Sequence, residues 1–211
     1  MIIVSLRKKG NNVVIQFNDG SSILVDYKIV TDAGLRKNDV IDESKKNELL
    51  ILNEKLKIKE AALKLISRRL HSKYELINKL LKKKFDKKLI NDAIEELISK
   101  YYLNDYEFCK AYAEERFYRK KIGINKIKVE LIKKGIERKI IEDVLCLIDD
   151  NSSFDTAYEL AKKKLSSYQF KKLDNQKIKQ KLFSFLLSRG YQSEIIFKVM
   201  DKLNIQENEW T

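Results

Sequence analysis

Apolar residues along the C-terminal three quarters of the chain fall on one template, used three times. With Lys84-Phe85, Gly135-Ile136 and Gly190-Tyr191 aligned, Leu80, Leu131 and Leu186 stand four residues before the first member, and Leu76, Ile127 and Leu182 eight before. Beyond it, offsets of five and six hold Leu89-Ile90, Ile140-Ile141 and Ile195-Ile196. Offsets of nine and ten hold Ala93-Ile94, Val144-Leu145 and Val199-Met200, and offset thirteen holds Leu97, Ile148 and Leu203. These are helical spacings on both sides of a break. The anchors lie 51 and 55 residues apart, and a period of that size carrying helical patterns predicts units stacked along one axis. Arrays of this kind bind along an extended face.

The pattern also places individual helices. The first repeat opens with a helix over about Glu60 to Leu70. Ser72 and Glu75 form a capping box for a second helix from Lys73 to near Lys84, and a third runs from Lys87 to Tyr101. In the second repeat Asp105 is a plausible N-cap, with Phe108, Ala111, Tyr112 and Arg116 on one stripe. Gly123 breaks that helix, Asn125 can cap the next, and Gly135 breaks again before Glu137 to Leu147. The third repeat spans about Phe154 to Leu203, with a polar connection near Ser166 to Asn175.

The first 53 residues follow another period. Residues 2–6, 12–17 and 22–26 are short and rich in Val and Ile. Gly10-Asn11 and Asn18-Asp19-Gly20 separate them, which predicts a three-stranded meander. Asp26 caps a short helix, Tyr27 to Ala33, that Gly34 ends. Asn38 takes a left-handed turn, and Ser44 to about Asn53 is a further helix. So small a piece docks on the array or binds a partner. The expected fold is mainly α, three tandem three-helix repeats with a small N-terminal β-meander. The expected divisions are 1–53, 54–103, 104–150 and 151–211.

Charge adds direction to this picture. The net charge is +13, of which residues 1–53 hold only +1. Arg116 to Lys139 carries ten basic residues against Glu130 and Glu137, and Lys162 to Lys181 carries eight against Asp174. A lysine- and asparagine-rich composition from AT-rich coding accounts for scattered lysines. It accounts less well for the arginines: Arg68, Arg69, Arg116, Arg119 and Arg138, five of the eight, lie in the first two repeats. A basic stripe on a helical array favours a polyanion, through release of counterions condensed on phosphates. A helix arginine paired with a nearby glutamate, such as Glu115, is the competing explanation for each.

Catalytic chemistry is not legible. The single histidine, His71, precedes a capping box and reads as a helix-junction residue, with a nucleic-acid contact as the alternative. Cys109 and Cys146 read as two buried or half-buried free thiols, far apart and without a CxxC partner. One imidazole and two distant thiols make no metal site. No phosphate-binding G-x4-G-K-[ST] loop occurs, and Glu95-Glu96 and Glu114-Glu115 are adjacent helix positions that face apart. Chemistry and composition therefore predict a non-enzyme without cofactor or metal. No run of 18 apolar residues is present, so a cytoplasmic protein is expected.

The residues also carry a family resemblance. Ala62-x4-Ser67-Arg68-Arg69-x2-Ser72-x2-Glu75-Leu76-x3-Leu80 resembles the signature stretch of RecX proteins, bacterial regulators of the RecA recombinase. The second repeat does so too, through Leu103-x-Asp105-x2-Phe108-x3-Tyr112-x3-Arg116 and Lys121-x-Gly123-x3-Ile127-x3-Leu131-x2-Lys134-Gly135-Ile136-x4-Ile141. The N-terminal strands resemble the extension on RecX proteins of Gram-positive bacteria. Two positions depart from the family pattern: Lys84-Phe85, where Lys-Gly is common, and Asn38, where the linker often has Gly. The resemblance implies a curved array of three-helix repeats. It also implies binding within the groove of the RecA–single-stranded-DNA filament, with modulation, most often inhibition, of ATP hydrolysis and strand exchange.

The preferred DNA or filament contacts are Arg68, Arg69, Lys73, Arg116, Tyr118, Arg119, Lys120, Lys121, Lys126, Lys133, Lys134 and Arg138. Tyr118 is the stacking candidate among them, whereas Phe108 and Tyr112 read as core. Expected partners are the RecA filament and single-stranded DNA, with double-stranded DNA a further candidate, and neither a membrane nor a small-molecule substrate. The alternative is a basic DNA-binding array without a recombinase partner. A third class, a pure protein-interaction scaffold, requires the charge to be compositional.

Overall fold

A computed structural model describes residues 1–170 and 174–204. The three N-terminal apolar runs form an antiparallel sheet in the order β1 (Ile3–Lys9), β2 (Asn12–Phe17), β3 (Ser22–Asp26). Gly10 and Gly20, at φ +63° and +83°, supply the positive φ that tight hairpins need. Val13 faces Val25 and Ile15 faces Ile23, so period-2 alternation puts all four on one buried face with Ile3 and Phe17. The Asp26 carboxylate accepts from the Lys28 amide and caps α1 (Tyr27–Asp32). Asn38 takes the expected left-handed turn, at φ +75°.

The two helices expected on either side of residue 54 are one. α2 (Glu43–Ile66) is continuous for 24 residues, because no Gly or Pro interrupts the sequence between them. Asn53 does not break it. It is buried inward, where its side-chain amide accepts from the Asp26 amide at 2.9 Å and donates to the Leu24 carbonyl at 3.2 Å. It thereby imitates a neighbouring strand along the β3 edge. Leu49 belongs to the sheet's core and Ile58 to the next one. The meander thus shares a helix with the first repeat, which supplies the burial it lacks alone.

Repeat 1 is completed by α3 (Lys73–Leu81) and α4 (Lys87–Ser99), repeat 2 by α5 (Asp105–Glu114), α6 (Ile124–Lys133) and α7 (Arg138–Leu145). Repeat 3 holds α8 (Asp150–Phe170), α9 (Asn175–Arg189) and α10 (Ser193–Leu203). The template positions form the cores: Leu76, Leu80, Ile90 and Ile94 in repeat 1, Ile127, Leu131, Ile141 and Val144 in repeat 2, Leu182, Leu186, Ile195 and Val199 in repeat 3. Contacts divide the chain into two compact units. One holds residues 1–70 and 76–103; the other holds residues 71–75 and the chain from Asn104 onward.

Several boundaries differ from expectation. Asn104, not Asp105, caps α5, accepting from the Tyr106 and Glu107 amides. Gly123, not Asn125, is the N-cap of α6. α8 begins at Asp150 and runs through Phe170, so the first part of the expected polar connection is helical. Lys171 and Lys172 of the second basic cluster lie outside the described residues. Cys146 is exposed rather than buried, because it follows α7 off its apolar stripe. No helix among the described residues is long and apolar enough to cross a membrane.

Candidate nucleic-acid interface

The arginine-rich end of α5 is not a plain helix. Glu115–Arg119 forms a π-helical turn, closed by the Lys120 amide on the Glu115 carbonyl and followed by Lys121 at φ +51°. The wider turn lets Phe117 and Ile122 both enter the repeat 2 core while Tyr118, Arg119 and Lys120 stay exposed. Tyr118 is 54% exposed and stands edge-on to Phe117, with ring centroids 4.9 Å apart. A phenol held by a core ring and flanked by cations suits a base stacked on it.

Arg116 lies in the same turn and is held in an ion pair. Its Nε and Nη2 donate to the two Glu130 carboxylate oxygens at 2.7 Å each. Tyr112 Oη donates to the same carboxylate at 2.9 Å, and the guanidinium lies over the Tyr112 ring. The Arg116 hydrogen bonds hold the Glu130 carboxyl below its usual range. Burial, then the bond to Glu130, pushes the Tyr112 phenol up to about 12. Such a two-pronged, half-buried pair is framework rather than an open cation. Its partner is not Glu115 but a residue on the next helix.

Lys134 is committed in the same way. Its Nζ bonds Glu75 Oε1 at 2.5 Å and sits over the rings of Phe108 and Tyr112. Ser72 Oγ accepts from the Glu75 amide, as half of the expected capping box, and donates to the Lys134 carbonyl. Asp105, displaced from capping α5, instead accepts from the Lys73 amide at 2.7 Å and so caps α3. Burial raises the Asp105 carboxyl and, with that nearby carboxylate, lifts the Cys109 thiol to about 11. His71 is buried beside this cap, in agreement with the junction reading. Lys121 pairs with Glu159, and Lys126 Nζ donates to the Ser188 carbonyl.

Seven of the expected cations remain on the surface, Arg69 and Lys126 among them. Arg68, in the turn after α2, is exposed, as are Arg119, Lys120, Lys133 and Arg138. None of these five forms an ion pair among the described residues. Arg69 is exposed and donates to the Leu70 carbonyl; Lys73 is half-buried. Sequence reasoning missed Glu75, Glu130 and Glu159 as partners, since no local spacing links them to Lys134, Arg116 and Lys121. Among the described residues no group of three or more His, Cys, Asp or Glu side chains is arranged to hold a metal ion.

The motif glycines mark close approaches. A Cβ on Gly135 would stand 2.4 Å from Tyr74 Cβ, and one on Gly190 2.4 Å from Lys126 Cβ. Lys84, the counterpart in repeat 1, shares the left-handed backbone at φ +64° but is exposed, so a side chain is tolerated. This explains the departure at Lys84-Phe85.

Comparison with known proteins agrees with this arrangement. Family models for the first, second and third three-helix domains of RecX match residues 59–97, 104–145 and 150–200, in that order. The chain is 32% identical over 201 residues to a regulatory protein RecX of Clostridium perfringens, covering 95% of this chain and 94% of that one. It is 30% identical over 197 residues to that of Clostridium tetani, covering 93% and 90%. A crystal structure of RecX from Lactobacillus salivarius superposes with a TM-score of 0.67 at 26% identity, covering 74% of this chain and 99% of that chain. Another, of a regulatory protein RecX, has the same fold with a TM-score of 0.75 at 18% identity, covering 95% and 98%. With three matched repeats built on the residues that join them, this chain belongs to the RecX family of regulatory proteins.

Proposed function

We propose that this chain binds the RecA–single-stranded-DNA filament within its groove and inhibits recombinase ATP hydrolysis and strand exchange, acting by occupation and without a reaction of its own. The observation that carries this reading is the full set of three RecX repeats on one chain. Support also comes from the solvent-facing cations of repeat 2. Arg119, Lys120, Lys133 and Arg138 are the phosphate or filament contacts, with Tyr118 stacking, and Arg68 and Arg69 contribute from repeat 1. Arg116, Lys121 and Lys134 hold these elements in place. The site of action is cytoplasmic.

The test is ATP hydrolysis by the cognate recombinase on single-stranded DNA, titrated with this protein. Loss of hydrolysis well below one copy per recombinase subunit is the expected result. No effect at excess, with DNA binding by this chain intact, sinks the recombinase partner. The second reading, a DNA-binding array acting alone, would then stand on the exposed basic groups.

A further inference from the structure

The densest basic segment among the described residues lies outside all the contacts assigned above. The turn between α3 and α4 reads Lys82-Lys83-Lys84-Phe85-Asp86-Lys87-Lys88, five lysines in seven residues. All five are exposed, and none forms an ion pair among the described residues. Elsewhere in the same unit lysines meet carboxylates, as Lys59 and Lys100 meet Glu96 and Lys55 meets Asp92. The nearby acids are engaged with backbone. Asp86 accepts from the Lys88 and Leu89 amides, and Glu54 accepts from the Asp86 amide.

Three features of this turn run against its own stability. Five ammonium groups are crowded into seven residues and repel. Lys87 and Lys88 open α4, where the helix dipole is positive and carboxylates are favoured. Lys84 occupies a left-handed backbone that costs a side chain about 1–2 kcal/mol relative to glycine. Repeat 3 shows that the scaffold does not demand this charge, and both other repeats that it does not demand the side chain at Lys84. Gly135 and Gly190 hold the position of Lys84, and Ser193-Glu194 the position of Lys87-Lys88 in repeat 3. In repeat 2 Arg138-Lys139 repeat the basic pair. An anion laid across the turn relieves both the repulsion and the dipole.

We infer that the α3–α4 turn is a docking site for the phosphodiester backbone of nucleic acid, with Lys83, Lys84, Lys87 and Lys88 as its point charges. The inference rests on the nucleic-acid half of the proposed function and assigns one contact to repeat 1. Lysines without an exposed aromatic among them read charge and not base identity, so binding there is indifferent to sequence. Phe85 is half-buried against the repeat 1 core, which leaves the turn no apolar anchor for a lipid surface.

The test is binding of a labelled oligothymidylate and of a DNA duplex across a salt series, with the full chain. Each neutralised phosphate contributes about 0.7 to the log–log salt slope for a single strand and about 0.9 for a duplex. Replacing Lys83, Lys84, Lys87 and Lys88 together by Gln is expected to lower the slope by about 2–3, with the thermal midpoint unchanged or raised. A control with Lys28, Lys37, Lys57 and Lys64 replaced by Gln removes the same charge from other exposed positions and is expected to change the slope by less than about 1. An unchanged slope in the turn variant overturns the assignment, as does an equal fall in the control, or binding to anionic vesicles without binding to either DNA. Recombinase inhibition measured in parallel separates the two ideas. A reduced slope in the turn variant, with no inhibition by the wild-type chain, keeps the site and sinks the recombinase reading.

Discussion

Gly123 and Gly190 meet backbone to backbone: a Cβ on Gly123 would stand 2.3 Å from the carbonyl carbon of Gly190. The Gly123 amide donates to the Arg189 carbonyl at 2.9 Å and the Asn125 amide to the Gly190 carbonyl at 3.1 Å. Gly123 has φ −71°, which any residue adopts, so its glycine is required by proximity alone. Gly190 needs both its positive φ and the space. Gly123→Ala is expected to cost about 1–3 kcal/mol through forced overpacking. The double variant Gly123→Ala/Gly190→Ala is expected to cost less than the sum, since both open one approach. Urea unfolding checks this; additive losses would mean that the two glycines act separately.

The Arg116–Glu130 pair predicts a pH dependence of stability. The folded Glu130 carboxyl lies below its ordinary value of 4.5. Its contribution is therefore complete above that value and is lost as pH falls through the folded pKa. Glu130→Gln is expected to flatten the acid limb of the stability curve while leaving DNA binding at neutral pH intact. A variant with the same acid limb as wild type would place the acid sensitivity elsewhere.

Arg119 and Lys120 are exposed, whereas Arg116 is held in its pair with Glu130. Arg119→Ala with Lys120→Ala is expected to leave the unfolding midpoint unchanged and to lower the salt slope of DNA binding by about 1 for each phosphate the two side chains hold. Arg116→Ala is expected to do the reverse, destabilising by about 1–2 kcal/mol. Both measurements on both variants are needed, and exchanged outcomes would reverse the assignment.

Tyr101 sits at φ +60°, one residue beyond the C-cap of α4, and is 89% exposed. Its side chain touches little that could offset the left-handed backbone. Tyr101→Gly is accordingly expected to stabilise the chain by about 1 kcal/mol, seen as a higher thermal midpoint. A lower midpoint would reveal packing by the phenol.

The two thiols differ in reach. Cys146 is exposed and Cys109 buried, with the Cys109 thiol raised to about 11. A disulfide reagent at neutral pH is expected to modify one thiol at once and the second only on unfolding. Cys146→Ser removes the fast phase.

The apolar template made each repeat readable, because its residues at offsets −8, −4, +6 and +9, spaced along helical faces, are the ones each repeat buries. The hairpin glycines and the Asp26 cap were readable for the same local reason. Asn53 was not: an asparagine in a helix interior looks like a break until the β3 edge it satisfies is in place. Asp105 was misread by one step. Its own helix was capped by Asn104, and its carboxylate served the amide of Lys73, 32 residues earlier. The α3–α4 lysines needed only a charge count, yet their lack of ion pairs is visible only with the surrounding carboxylates placed.

By itself the sequence determined the repeat, its helical period, the strand-rich front and the surplus of positive charge, all properties of residues near one another in the chain. Tertiary structure decided which charges were spent. Arg116, Lys121 and Lys134 are indistinguishable in composition from Arg119, Lys120 and Lys133, and only the approach of Glu130, Glu159 and Glu75 from other helices separates the two sets. An ion pair depends on where two side chains meet in space, and no local pattern records that.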